Sequence, residues 1–236
     1  VDFERNSQLK FIGKHSFSFT PINYFVFPEN LIEFAKEWCF YLSFLSSIIV
    51  LPKNKNLSYF DSKILIGKSD PNKDVFDSLI FARRDIYDIK IPSFIKYIKS
   101  CAFLDCIKLR RVEFTEDSEL EIIESYAFHH TAISRFDVPK SVKVIEKDAF
   151  GRCLFLNSVN FHEDSELIKV GKFAFNTESL TCLNYPSKVE VIKEGFNSYD
   201  DALKQIFISP KNKNFIICNK CLIVGKSDPK SDCLFK

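Results

Sequence analysis

Two stretches decide how this sequence is read: FTEDSEL at Phe114–Leu120 and FHEDSEL at Phe161–Leu167, near-copies set 47 residues apart. Around them an Ala-Phe pair recurs, at Ala102-Phe103, Ala127-Phe128, Ala149-Phe150 and Ala174-Phe175. The phenylalanines step by 25, 22 and 25 residues, so the 47-residue copy is a pair of unequal units. Pro92, Pro139 and Pro186 keep the same 47-residue step. A fixed period of about 20–30 residues marks a stacked repeat, in which no unit buries its apolar face alone and neighbours share one core.

Within a unit, Leu109, Val112 and Phe114 alternate as the inward side of a short strand. Leu120, Ile122 and Ile123 form a second apolar cluster, and the Ala-Phe pair follows. The last aliphatic precedes the phenylalanine by five residues in four copies: Ile98 to Phe103, Ile123 to Phe128, Ile145 to Phe150 and Val170 to Phe175. The segment up to Ala-Phe has helical spacing, with Glu124, Ser125, Lys147 and Asp148 facing out. Proline after the strand ends its ladder, because proline has no N–H to donate. The spacing predicts one α/β repeat solenoid over residues 1–236, with a short parallel strand per 22–25-residue coil and helical or irregular convex segments. A ladder of rings is expected at Phe17, Phe40, Phe103, Phe128, Phe150, Phe175 and Phe196, with Cys39-Phe40 and Gly195-Phe196 standing in for Ala-Phe.

One stretch breaks the period and has its own copy. PKNKNLSYFDSKILIGKSDP at Pro52–Pro71 and PKNKNFIICNKCLIVGKSDP at Pro210–Pro229 agree at 10 of 20 positions. Turn-forming ends around an apolar run read as a β-hairpin. Hairpin-like insertions are therefore expected at 53–90 and 211–236. The second copy stops before a return strand, so the chain reads as a fragment of a longer protein.

Bulk composition narrows the function classes. Hydrophobic residues make up 46% and Phe alone 26 residues, which gives an aromatic core. A net charge of +2 argues against nucleic acid as a partner, since phosphate-binding faces carry a basic excess. The longest nearly apolar run, Cys39–Leu51, holds three serines and is too short to span a bilayer.

The motif Ile89-Lys90-Ile91-Pro92, Ile95, Ile98, Ala102-Phe103, Cys106, Leu109, Val112, Phe114 resembles the BspA-like leucine-rich repeat family, as does Val138-Pro139, Val142, Ile145, Ala149-Phe150, Cys153, Leu156. The resemblance implies a leucine-rich repeat solenoid. It also implies a non-enzymatic protein-binding role, with adhesion to host or matrix proteins from a cell-surface or secreted location. An intracellular protein-interaction scaffold on the same solenoid is the alternative.

Side chains beside the inward ones face solvent and are the candidate partner-binding residues. These are Tyr24, Val26, Arg111, Glu113, Arg135, Asp137, Asn160 and Asn184, with Ile48, Val50, Asp88, Lys90, Ser158, Cys182, Gln205 and Phe207 on the same face. Arg and Tyr are favoured at protein interfaces. The bland reading is that Arg111-Glu113 and Arg135-Asp137 pair across neighbouring strands.

Nothing else points to chemistry, and no catalytic residue, metal site or cofactor is expected. Cys106 and Cys153 read as core thiols. Cys218-Asn-Lys-Cys221, with Cys233 nearby, lacks the four ligands of a structural zinc site. His129-His130 reads as a solvated outer turn. Gly67-Lys68-Ser69 and Gly225-Lys226-Ser227 read as turns, because the upstream glycine and following helix of a phosphate loop are missing.

Overall fold

A computed structural model describes residues 1–4, 6–193, 203–218 and 222–225. Gly195-Phe196, Cys221, Cys233 and the 226–236 end of the second insertion lie outside the described residues.

The chain is built almost entirely of short strands. A first arm carries β1 (Phe11–Ile12), β2 (Tyr24–Phe27), β3 (Glu33–Phe34) and β4 (Ser47–Val50). An antiparallel excursion follows: β5 (Leu57–Phe60), β6 (Ile64–Gly67) and β7 (Ser78–Ala82). A second arm then alternates strands of three or four residues with two-residue strands. These are β8 (Asp88–Lys90), β9 (Tyr97–Ile98), β10 (Arg111–Glu113), β11 (Ile122–Ile123), β12 (Arg135–Val138) and β13 (Val144–Ile145). They continue as β14 (Ser158–Phe161), β15 (Lys169–Val170), β16 (Cys182–Tyr185), β17 (Val191–Ile192) and β18 (Gln205–Ile208). A last hairpin, β19 (Phe215–Cys218) and β20 (Leu222–Gly225), is antiparallel. The longer strands pair in parallel as β2-β4, β8-β10, β12-β14 and β16-β18. The two-residue strands of the second arm form a second sheet with the excursion, in the order β17-β15-β13-β11-β9-β7-β6-β5, while β1 and β3 of the first arm pair in parallel with each other.

The helical convex side expected from the sequence is absent: among the described residues there is no helix. The hydrogen bonding of the turns explains why. In the turn around Phe103, the N–H groups of Ala102 and Leu104 donate back to Lys99 and Cys101 at 3.1 and 3.2 Å. The intervening N–H groups of Cys101, Phe103 and Asp105 donate instead to the next coil, at Ser125, Ala127 and His129 (3.2, 2.7 and 3.0 Å). Alternate donors leave the turn, so an i to i−4 ladder cannot form. Left-handed residues at Cys101 and Asp105, Tyr126 and His130, and Asp148 and Arg152 close the turns on either side of each phenylalanine.

The ring ladder is present. Phe103, Phe128, Phe150 and Phe175 are buried and stack at centroid distances of 4.8, 5.3 and 5.4 Å, with planes within 5–13° of parallel. In the first arm the ladder is set one residue differently from the expectation. Phe17 N–H donates to Trp38 O, and the left-handed pair there is Glu37 and Tyr41, which puts Cys39 and not Phe40 at the ladder position. Cys39 is fully buried, while Phe40 turns outward against Tyr126 at 5.2 Å.

The PKNKN motif has a structural role. Asn54 Nδ2 donates to Pro28 O and Leu31 O of the coil before it (2.7 and 3.0 Å), while its Oδ1 accepts the N–H groups of Asn56 and Leu57, both at 2.8 Å. Asn212 repeats the arrangement on Pro186 O and Val189 O, accepting from Asn214 and Phe215. Each asparagine welds the base of its hairpin to the solenoid. The first hairpin turns through Asp61 and Ser62, both left-handed, and the Lys63 N–H closes the turn on Phe60 O at 3.1 Å.

The excursion also joins the arms. In β6 and β7, Ile64, Ile66, Leu79 and Ala82 belong to the core of the second arm, and Leu65, Ile80 and Phe81 to that of the first. The outer turn of the first arm lies along the outer turns of the second, so that Tyr41 meets His129 and Lys36 reaches Glu146. At their junction sits Arg84, buried, with its guanidinium 4.0 Å over the Phe81 ring. It donates to Leu42 O of the first arm and to Ala102 O and Cys101 O of the second, at 3.1, 2.8 and 3.1 Å.

Candidate binding face

Parallel pairing in register aligns the outward side chains within β8-β10, β12-β14 and β16-β18, and β10 lies beside β12 and β14 beside β16, so that the three pairs follow one another as two rows. One row runs Asp88, Arg111, Arg135, Ser158, Cys182, Gln205, and the other Lys90, Glu113, Asp137, Asn160, Asn184, Phe207. Their inward partners Ile89, Val112, Phe136, Val159, Leu183 and Ile206 are buried, which fixes the outward phase. Arg111, Glu113, Arg135 and Asp137 keep side-chain exposures of 68%, 50%, 66% and 60%.

In the first arm the face departs from the sequence reading. Tyr24 points outward and donates its hydroxyl to Asp2 Oδ1, a bond that holds the phenol above its usual range. Val26 is buried, with the backbone of Val1 bonded beside it to Tyr24 O and Val26 N. Ile48 and Val50 oppose Phe25 and Phe27 and so point inward, whereas Ile49, unremarked in the sequence, is 45% exposed. The run Ser47-Ile-Ile-Val50 has no polar alternation to reveal its phase.

The expected charge pairs form, but along strands rather than across them. Arg111 Nε lies 3.3 Å from Glu113 Oε1. Arg135 Nε donates to both oxygens of Asp137 at 3.0 Å. The cross-strand link is an amide: Asn160 Nδ2 donates to Asp137 Oδ1 at 2.7 Å. Asp88 accepts from Lys63 Nζ of β6's approach at 3.0 Å; that bond, the Lys63 charge and then Arg111 hold its carboxyl below the usual range. Solvent and salt screen these exposed pairs, so a partner can exchange them at little cost.

Away from this face, the described titratable side chains are engaged in local contacts. Asp105 accepts from Ser43 Oγ and contacts His130 Nδ1 at 2.7 Å. The carboxylate sits between hydroxyl and imidazole, so the imidazole is not placed to take the serine proton. His129, expected on a solvated turn, is buried beneath Tyr41 and Tyr126. Cys39, Cys101, Cys106 and Cys153 are buried free thiols, and burial pushes Cys39 up to about 12 and Cys153 up to about 11. Among the described residues no group of three or more His, Cys, Asp or Glu is placed to hold a metal ion. Nor is any helix there long and apolar enough to cross a membrane.

Coils with a buried Ala-Phe pair, a strand on one side and a two-residue strand on the other match the family model described as BspA type leucine rich repeat region, in 6 copies over residues 1–68 and 75–215. The chain belongs to that family. Among solved structures it is similar to the pneumococcal vaccine antigen PcpA, at 25% identity and TM-score 0.54 over 59% of this chain and 34% of that one. A leucine-rich repeat protein of Eubacterium ventriosum matches at 18% identity and TM-score 0.55 over 89% of this chain and 64% of that one. A leucine-rich cell surface protein of Faecalibacterium prausnitzii matches at 18% identity and TM-score 0.52, over 85% and 51%. The chain therefore spans less than two thirds of the length of these relatives. No curated protein sequence matches.

Proposed function

We propose that this BspA-type solenoid is a non-enzymatic protein-binding domain that acts in adhesion at a cell surface, with a host or matrix protein as partner. The observation that carries this reading is the pair of outward rows from Asp88 to Phe207, which offers charged, amide and aromatic side chains on one face of stacked strands. Arg111, Glu113, Arg135, Asp137, Asn160 and Asn184 are its proposed contacts, extended into the first arm by Tyr24 and Ile49. Arginine and tyrosine anchors suit protein interfaces. The likeness to a vaccine antigen and to a cell surface protein supports the location. The test is binding of the purified chain to immobilised matrix proteins and to host cells. Saturable binding is expected; absence of binding to every matrix protein and cell type would remove adhesion as the function.

The buried free thiols favour the second reading, an intracellular scaffold, since unpaired cysteines are commonest in reducing compartments. Labelling intact cells with a membrane-impermeant amine reagent separates the two. Labelled protein supports the surface, and protein labelled only after lysis supports the scaffold.

A further inference from the structure

Where the first arm leans over the second sheet, a cleft of about 140 Å3 opens between β3, β7 and β9, away from the strand face. Its walls combine an apolar side, with Ile32, Phe34 and Ile80 beside the chain's single tryptophan, Trp38, and a polar side where Lys36, Lys68 and Lys99 stand with the carboxylates Glu33 and Glu124. Clefts between packed units that pair apolar walls with a few convergent polar groups are the usual form of a small-molecule site.

The three lysines are not equivalent. Lys99 is held by Glu124, at 2.6 Å, and Lys36 by Glu146, at 3.2 Å. Glu124 is itself buried and also accepts the Ser100 N–H at 3.1 Å, so these charges are committed to the joint between the arms. Lys68 differs. Its side chain is only 9% exposed, yet its ion-pair partner Asp74, at 3.0 Å, is 97% exposed on the loop after β6. A buried ammonium needs an anion, and this one borrows it from a solvated side chain that loses little on release. The neighbouring hydroxyl of Ser69 is spent on Asp77, at 2.7 Å, and Lys68 Nζ, 5.4 Å over the Phe76 ring, is the cation of the three whose anion is solvated and exchangeable.

We propose that this cleft binds a small organic carboxylate, whose apolar body lies against Phe34 and Trp38 and whose carboxylate replaces Asp74 on Lys68 Nζ. The Gly67-Lys68-Ser69 turn thus places a cation at the mouth of an apolar slot, rather than cradling a phosphate through its backbone.

Trp38 gives a local readout. Its fluorescence in the purified chain is titrated with benzoate, with uncharged benzamide and with inorganic phosphate. Benzoate should give a saturable change, and the other two should not. Lys68→Met should weaken benzoate about tenfold or more, the loss expected for a charged hydrogen bond. Asp74→Asn should tighten it about fivefold, because the internal competitor, a solvated carboxylate that loses little on release, is gone. A purely structural Lys68–Asp74 pair would not produce that gain. Should Lys68→Met fail to fold, Asp74→Asn carries the test alone, since Asp74 is solvated. No saturable response to benzoate, equal response to benzamide or phosphate, or unchanged affinity in Asp74→Asn overturns the proposal.

Discussion

Replacing Phe128 by Ala tests the stacked core at its centre. The ring is fully buried, parallel to Phe103 on one side and Phe150 on the other, with Phe136 edge-on at 5.0 Å. Truncating a buried Phe costs about 3–5 kcal/mol, depending on how far the surroundings collapse into the gap. Collapse is opposed here. The coils above and below are fixed by bonds from Phe103 N to Ala127 O, from Phe128 N to Ala149 O and from Phe150 N to Ala174 O, at 2.7–2.8 Å. Two stacked neighbours also lose their ring contact, at about 0.5–1.5 kcal/mol each. The expected loss is therefore in the upper half of the range, about 4–5 kcal/mol, read as a fall in urea midpoint with m unchanged. Phe155→Ala is the control: that ring is 61% exposed, and a change within about 0.5 kcal/mol is expected. A loss below about 1 kcal/mol for Phe128→Ala would refute the ladder and the register built on it.

Further predictions follow from the joint between the arms and from the buried titratable groups. Arg84→Ala takes the donor from the Leu42 carbonyl and one of two donors from the Cys101 and Ala102 carbonyls, which keep the Leu104 and Ala82 N–H groups, and should cost about 2–3 kcal/mol in chemical denaturation; Arg84→Lys should restore little of it, because one ammonium cannot span three divergent acceptors. Burial pushes the His129 imidazole down to about 4, partly offset by the Asp105 charge, whereas an unfolded His titrates near 6.5. The unfolded chain thus binds a proton that the folded chain refuses, so stability present above about pH 6.5 is lost as pH falls towards 4. The loss is about 3 kcal/mol, and His129→Gln should flatten that part of a pH-denaturation profile. Among the described cysteines, Cys182 should react with a thiol reagent in the native protein, while Cys39, Cys101, Cys106 and Cys153 should wait for unfolding, as mass mapping of labelled peptides will show.

The parts of the molecule that repeat with clear alternation were legible in the sequence. Phe103, Phe128, Phe150 and Phe175 announce the ladder, and Arg111-Val-Glu113 and Arg135-Phe-Asp137 announce their outward faces, because polar residues flank an apolar one. Ser47-Ile-Ile-Val50 offers no such contrast, and there the phase is set by pairing with β2. The helical spacing before each Ala-Phe misled because two-residue strands such as Ile122–Ile123 are too short to show a period of two. What closes those turns is the export of alternate N–H groups to the next coil, a non-local effect. The joint between the arms was illegible for the same reason. Arg84 looks like a surface residue until Leu42, Cys101 and Ala102, 17 to 42 positions away, surround it. Lys68 and Trp38 likewise come together only when β6 and β7 bring the first arm against the second.

Charge reversal on the strand face tests partner binding there most directly. Arg111→Glu with Arg135→Glu leaves the buried Val112 and Phe136 untouched, so the fold should persist, as circular dichroism and an unchanged melting curve would confirm. Binding of the folded double variant to matrix proteins or host cells should fall by more than tenfold, the scale of two interface anchors lost. Full binding by the folded variant would contradict the assignment of the partner to this face.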